Sequence, residues 1–432
     1  MVKKALLISV TFFLFFSIGI SQQTPAKKQK ESILLIGATT HVGNGEIIEN
    51  SVIGFNEGKI NYVGRDLSVN NKYDKIVDMN GKHLYPGLIA LNTTLGLVEI
   101  DAVRATNDIN ELGDMLPHIR SAIAYNAESK VIESMRPNGV LIAQIVPRGG
   151  SISGSSSVMQ LDAWNWEDAL VSVDEGIHLN WPYPYTRGRS WMGEDPSFKK
   201  NENYDKKIDE FNDFFNEAKS YIKNSNPKNL AFEAMKNIFN GRKSVYLHAI
   251  EEIQIKDGVN FLINKGVKKI ILVGGNEAVS QLNLLKANNI PVIISRPHRL
   301  PENEHQDPKS SFRLASKLIN SGLLVSIDVS GGMERMNTRN LPFYAGTFAA
   351  YGVPKEKALE MITSSASKIL GIDNRLGTIK SGKDATLFIS EGDVLDMKTN
   401  IIIKAFIEGR EISLESHQTK LWKRYSDKFF KN

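Results

Sequence analysis

Residues 86–96 read PGLIALNTTLG. The apolar run Leu88–Leu91 is strand-like, and it stops at two small polar residues, Asn92 and Thr94, spaced i and i+2. On a strand that spacing turns both side chains to one face. A pair of side chains at a strand end is a familiar way to hold a metal ion, but the usual residues are histidines. Amide and hydroxyl oxygens bind a divalent ion less tightly than imidazole does.

Outward from this stretch, residues 139–146, 244–249, 268–275, 290–295 and 323–328 are further apolar strand candidates. Helical stretches separate the later ones, including EEIQIKDGVNFLINKG and DPKSSFRLASKLINSG. Strand–helix alternation over residues 86–371 predicts a parallel α/β fold, either a (β/α)8 barrel or an open sheet. Residues 33–85 differ: short β-rich runs (ILLIGA, SVIGF, KINYVG, KIVDM) are punctuated by Asn44-Gly45, Gly58 and Asn80-Gly81. The same character returns over 372–412 in LGTIK, DATLFIS and NIIIKAFIEGREI. A β unit divided between the two chain ends predicts one small composite β-sandwich domain beside the barrel.

The chain has 432 residues, 41% hydrophobic and 23% charged, an ordinary globular balance that argues against disorder. It contains no cysteine, so disulfides and a lipidated cysteine are excluded and stability rests on the core. A formal charge of +5 is too mild to imply a nucleic-acid partner. Lys3 and Lys4, the apolar stretch 5–20 and small residues at Gly19 and Ser21 read as a signal peptide over residues 1–21, with a polar linker over 22–32. The expected location is exported, periplasmic or secreted. The C-terminal segment 413–432 carries Lys420, Lys423, Arg424, Lys428 and Lys431 among four aromatic residues. It reads as a basic amphipathic helix that docks its aromatics on its own domain rather than on a membrane.

Five motifs in order resemble the metal-dependent amidohydrolase superfamily, in its imidazolonepropionase- and prolidase-like branch. Pro86-Gly87-Leu88-Ile89 is similar to the opening of the family's first barrel strand, and Leu247-His248-Ala249 to its fifth-strand histidine motif. Ser326-Ile327-Asp328 is similar to the eighth-strand aspartate motif, residues 363–371 to the helix that follows, and residues 376–385 to the returning β segment. The resemblance spans residues 33–412 and implies a barrel hydrolase of carbon–nitrogen bonds, in which metal-activated water attacks an amide-like carbon. It also implies roles for this chain's residues. His248 and Asp328 are the catalytic and metal-ligating candidates, with Asp328 as general acid/base. The first-strand histidine pair falls on Asn92 and Thr94, the sixth-strand histidine falls on Gly274, and residues 171–181 hold no lysine. One weakly bound divalent metal, zinc first, or none is the expected cofactor. Glu99, Asp101 and His118 are nearby residues able to replace the missing ligands.

Other residues admit two readings. The stretch PRGGSISGSSS (147–157) is either a flexible loop or a substrate loop with Arg148 as countercharge to an anion; it has neither a P-loop nor a G-x-S-x-G pattern. Trp164, Trp166, Trp181 and Trp191 either line a ligand pocket or cover the barrel as a lid. His298 and Arg299 follow the seventh strand candidate and point at the mouth, or form a surface turn. Trp164, Trp166, Arg148, His298 and Arg299 are therefore the substrate-binding candidates. Two functions follow: a hydrolase with a degraded metal site acting on a small molecule, or a non-catalytic binding paralogue that pairs with an intact copy or with itself.

Overall fold

The computed structural model describes residues 24–195, 197–301, 306–331 and 333–430. The signal-peptide segment 1–21 lies outside them.

The β-rich runs of both chain ends form one sheet. Its strands are β1 (Ile33–His41), β2 (Ile47–Asn56), β3 (Lys59–Gly64), β4 (Lys75–Asp78) and β5 (His83–Pro86) from the N-terminal part. The alternating runs then build β6 (Leu88–Thr93), β7 (Val140–Ile145), β8 (Ile152–Gln160) and β9 (Leu170–Asn180). A small hairpin follows, β10 (Tyr185–Arg187) with β11 (Phe198–Lys200). Next come β12 (Ser244–Ala249), β13 (Ile270–Gly274), β14 (Val292–Ser295) and β15 (Val325–Asp328). The chain returns to the first sheet with β16 (Leu387–Ser390), β17 (Ile402–Ile407) and β18 (Arg410–Glu411). That sheet runs β18-β17-β16-β5-β1-β2-β3, with β4 beside β1. It is one mixed sheet, in which β1 pairs with β4 and β5 in parallel and with β2 antiparallel, and it folds on itself around a shared core, so that Phe55 of β2 meets Phe406 of β17 (5.1 Å between ring centres). One face buries Leu35, Phe55, Leu387 and Phe406, and the other buries Leu34 and Val52 under Tyr62 and Tyr73.

The remaining strands close into the expected eight-stranded barrel, in the order β12-β13-β14-β15-β6-β7-β8-β9. Strands such as β13 (IILVG) are buried throughout, which is why they read as unbroken apolar runs. Closure rests on one register pair between first and last strands, Asp328 against Leu91.

One strand departs from the (β/α)8 pattern. β8 pairs antiparallel with both β7 and β9. A parallel crossover needs a dozen or so residues, usually with a helix. Only residues 146–151 link β7 to β8, and Gly149 and Gly150 both take the left-handed backbone there (φ 85° and 61°). A hairpin is the outcome. The stretch 147–157 is thus a short turn followed by a serine-rich strand, not a loop throughout.

The reversal relocates two tryptophans. Because β8 runs from the mouth to the opposite end, residues 161–169 emerge beside the start of β7, where the Leu161 N–H donates to the Leu141 carbonyl (3.0 Å). Trp164 is 63% exposed there, and Trp166 packs on the core from the same turn. Neither reaches the mouth, so the substrate role expected of Trp164 and Trp166 is not supported. Trp181 does reach it, buried and stacked on Phe211 (5.6 Å).

The C-terminal helix, His417–Phe430, corrects a second expectation: it buries none of its residues, and its aromatics do not dock on the domain.

The two sheets are tied at Asp162, just past β8. Its carboxylate accepts from Arg136 (3.0 Å), Arg410 (2.9 Å) and the Ala26 N–H (2.9 Å), joining the barrel, the returning segment and the irregular segment before β1. Asp162 and Arg136 are both buried. Removing one partner of a buried pair leaves the other charge uncompensated, at a cost of about 3–5 kcal/mol. Asp162→Ala is therefore expected to destabilise the protein by about that amount in urea unfolding. A loss below about 1 kcal/mol, the range of a surface pair, would show that this junction contributes little.

Candidate active site

Every barrel strand but β8 delivers its last side chains to one mouth, where eight-stranded barrels carry their chemistry. β6 delivers Asn92, the turn after β7 Arg148, β12 His248, the segment after β14 His298 and Arg299, and β15 Asp328. A cavity of about 410 Å³ is lined by Trp181, Tyr183, His248, His298, Arg299 and Asp328, among others. His298 contacts Thr347 Oγ1 through Nε2 (3.3 Å), and burial pushes its pKa down. Gly274, in the place of the resemblance's sixth-strand histidine, also lines it and offers no ligand.

Asn92 and Thr94 do not project side by side as a regular strand would place them. Asn92 takes the left-handed backbone (φ 55°), which asparagine tolerates better than most residues, and the β6–β7 register slips between Ala90 and Thr93. The Asn92 side chain is buried and bonded at both ends. Its Nδ2 donates to Asp328 Oδ1 (3.0 Å), and its Oδ1 accepts from Arg148 Nη1 (2.7 Å). Arg148 Nη2 donates to the Asn92 carbonyl (2.8 Å) and lies 3.2 Å from a Glu334 carboxylate oxygen. Thr94 donates its hydroxyl to the same Glu334. A guanidinium is thereby locked at the mouth between β6 and the segment after β15.

This charge and the surrounding burial set the titrating groups. Burial pushes the Asp328 carboxyl above its ordinary range, while bonds from the Ser330 N–H and hydroxyl (both 2.8 Å) and the Arg148 charge pull it back. Burial, reinforced by Arg148, depresses His248 to about 3, so the ring is neutral at physiological pH.

Beneath His248 lies a polar chain that the sequence reading missed. The Asn92 N–H donates to Gln144 Oε1 (3.0 Å), so the Gln144 amide nitrogen faces Glu175 and donates to Oε1 (2.8 Å). Tyr246 donates to Glu175 Oε2 (2.7 Å). Ser156 donates its hydroxyl to the same carboxylate (2.5 Å) and accepts from His178 Nε2 (2.9 Å). A neutral imidazole has one N–H and one lone pair. His178 Nδ1 is then the acceptor for His248 Nε2–H (2.8 Å), which leaves the His248 lone pair on Nδ1. Burial holds His178 neutral and raises the Glu175 carboxyl, against three donors that favour its ionised form. His178 had a signal in the sequence, a polar residue in the strand GIHLN. Glu334 had none, because only the barrel closure brings it to Arg148.

The substitutes suggested for the lost ligands are elsewhere. Asp101 pairs with Arg335 (2.5 Å), Glu99 faces Asn126 (3.4 Å), and His118 lines a separate cleft at the strand beginnings, beside Ser244 and Ile270. The donor set at the mouth does not fit a divalent metal. Among the described residues no group of three or more His, Asp or Glu side chains is placed to hold an ion. Both Asp328 oxygens are engaged by Asn92 and Ser330, and His248 Nε2 is turned to His178. A divalent ion there would also meet repulsion from the Arg148 guanidinium, whose charge reaches both His248 and Asp328. The Arg148 charge thus opposes what the two remaining ligands attract.

Residues 228–412 match the sequence model described as Amidohydrolase family. Among solved structures, an amidohydrolase from Thermotoga maritima MSB8 is 23% identical with a TM-score of 0.74, over 88% of this chain and 99% of that one. A Xaa-Pro dipeptidase with methionine in its active site is 14% identical (TM-score 0.54; 88% and 99% covered). A zinc-containing adenosine deaminase from Xanthomonas campestris is also 14% identical (TM-score 0.54; 94% and 99% covered). No curated protein sequence matches the chain.

The hydrogen-bond chain makes a direct prediction. Nitrogen NMR of labelled protein should show a pyridine-like Nδ1 and a pyrrole-like Nε2 for His248. Ser156→Ala should mix the two tautomers, and Ser156→Thr, which keeps a hydroxyl, should restore the original one. A His248 protonated on Nδ1 in the wild type would break the chain of reasoning.

Proposed function

We propose that this chain, whose residues 228–412 match the Amidohydrolase family model, is a hydrolase of carbon–nitrogen bonds in small, non-peptide or dipeptide-like molecules. Its mouth uses a guanidinium where the superfamily resemblance implies a metal. The observation that carries this reading is the Arg148 guanidinium, fixed by Asn92 and Glu334 within the electrostatic reach of both Asp328 and His248. A fixed positive charge in a buried site stabilises a developing oxyanion more than water can, because it needs no reorganisation. Asp328, with its proton affinity raised by burial, takes a proton from the attacking water and delivers it to the leaving nitrogen. The Nδ1 lone pair of neutral His248 orients that water as a hydrogen-bond acceptor. A cavity of about 410 Å³ suits a small molecule, and His298 and Arg299 on its wall contribute to recognition.

A second reading is supported by one specific observation: the Asp328 oxygens are already satisfied by Asn92 and Ser330. A carboxylate so held suits a binding protein that recognises the same class of molecule without turning it over, as a partner of an intact paralogue.

A panel of N-acyl amino acids, proline dipeptides and cyclic amides separates the two. Under the hydrolase reading at least one compound is cleaved. Arg148→Met then lowers kcat about 100- to 1000-fold, the usual effect of losing one oxyanion donor. Asp328→Asn abolishes turnover while the protein stays folded. Binding of a panel member with no product released would select the second reading. Full activity in Arg148→Met would remove the guanidinium from the mechanism.

A further inference from the structure

We propose that the C-terminal helix His417–Phe430 is a membrane-surface anchor that lays its aromatic side on an anionic lipid interface. The helix stands without a covering partner: none of its residues is buried, and Trp422 and Phe429 are 72% and 68% exposed. At 3.6 residues per turn, Leu421, Trp422, Tyr425 and Phe429 fall within an arc of about 100°. Lys420, Lys423, Arg424 and Lys428 occupy the rest of the circumference, against the single acid Asp427. An isolated apolar arc of this kind in water marks an interaction surface.

The charge pattern selects the occupant. A second copy of the same helix would bring four cations against four, which disfavours self-association through this face. A leaflet of anionic lipid is complementary to it, and tryptophan and tyrosine prefer the headgroup region where one side of the ring is wet. The positive patch also continues beyond the helix. The exposed Lys27, Lys28 and Lys30 follow Ala26, whose N–H binds Asp162 together with Arg136 and Arg410. Arg136 in turn reaches the Ser413 carbonyl (3.4 Å), at the approach to the helix. Both basic segments therefore leave the protein from one corner. Among the described residues no helix is long and apolar enough to cross a membrane.

The test is sedimentation of the purified protein with vesicles of phosphatidylcholine alone or mixed with phosphatidylglycerol. The protein should sediment with the mixed vesicles, with a blue shift of tryptophan emission that disappears in Trp422→Phe. Replacing Lys420 and Lys423 by glutamine should weaken binding roughly tenfold or more, and raised salt should weaken it further. Trp422→Ser with Phe429→Ser should abolish sedimentation without changing the melting temperature, since neither side chain packs on the domain. Failure to sediment with phosphatidylglycerol vesicles would overturn the proposal. So would a stable dimer in analytical ultracentrifugation that the same serine pair dissolves, because the face would then belong to a second copy.

Discussion

The mouth of this barrel is organised around one cation that cannot leave. The Arg148 guanidinium reaches Asn92 twice, through side chain and backbone, and is balanced by Glu334. Asn92 passes the constraint on to Asp328 through its amide nitrogen and to the barrel interior through its N–H and Gln144. The asparagine is thus more than a lost ligand. Its amide has a donor and an acceptor, which a metal-binding imidazole could not offer at once to Asp328 and Arg148. A metal held by histidine at position 92 would share one buried space with the Arg148 guanidinium, whereas asparagine there accepts a hydrogen bond from it.

Arg148 owes its position to the reversal of β8. A helical crossover after β7 would carry the chain away from the mouth along the outside of the barrel. The six-residue turn with Gly149 and Gly150 instead keeps Arg148 above β6. The same reversal brings Ser156 into the barrel beside His178 and Glu175, where a helix-connected strand would place another register of side chains. One tight turn therefore supplies both the charge of the mouth and the polar chain beneath it.

Much of the fold was legible because long apolar runs and their spacing are strong signals. Residues 244–249, 290–295 and 323–328 hold the strands expected of them, and the divided β unit forms one sheet. β8 was not legible: ISGSSSVMQ has small polar residues facing both ways, and its glycine–serine composition reads as a loop. The tryptophans misled for the same reason, since the end of the barrel at which Trp164 and Trp166 emerge depends on the direction of β8. At the site, His248 and Asp328 sit at strand ends that sequence alone indicates. Arg148 was visible as a charge but not as a partner of Asn92, and Glu334 lies 240 positions from Thr94, a separation no local pattern bridges. The exposed face of the terminal helix was legible as an amphipathic pattern, while what covers it is decided by packing that periodicity does not encode.

We propose that a guanidinium, and not a metal ion, supplies the positive charge of this mouth. Calorimetric titration of chelator-treated protein with zinc, for the wild type and for Arg148→Met, tests it most directly. The wild type should show no saturable zinc binding at the mouth and no rise in melting temperature on adding zinc. One equivalent bound tightly by the wild type, lost on replacing His248 or Asp328, would contradict it.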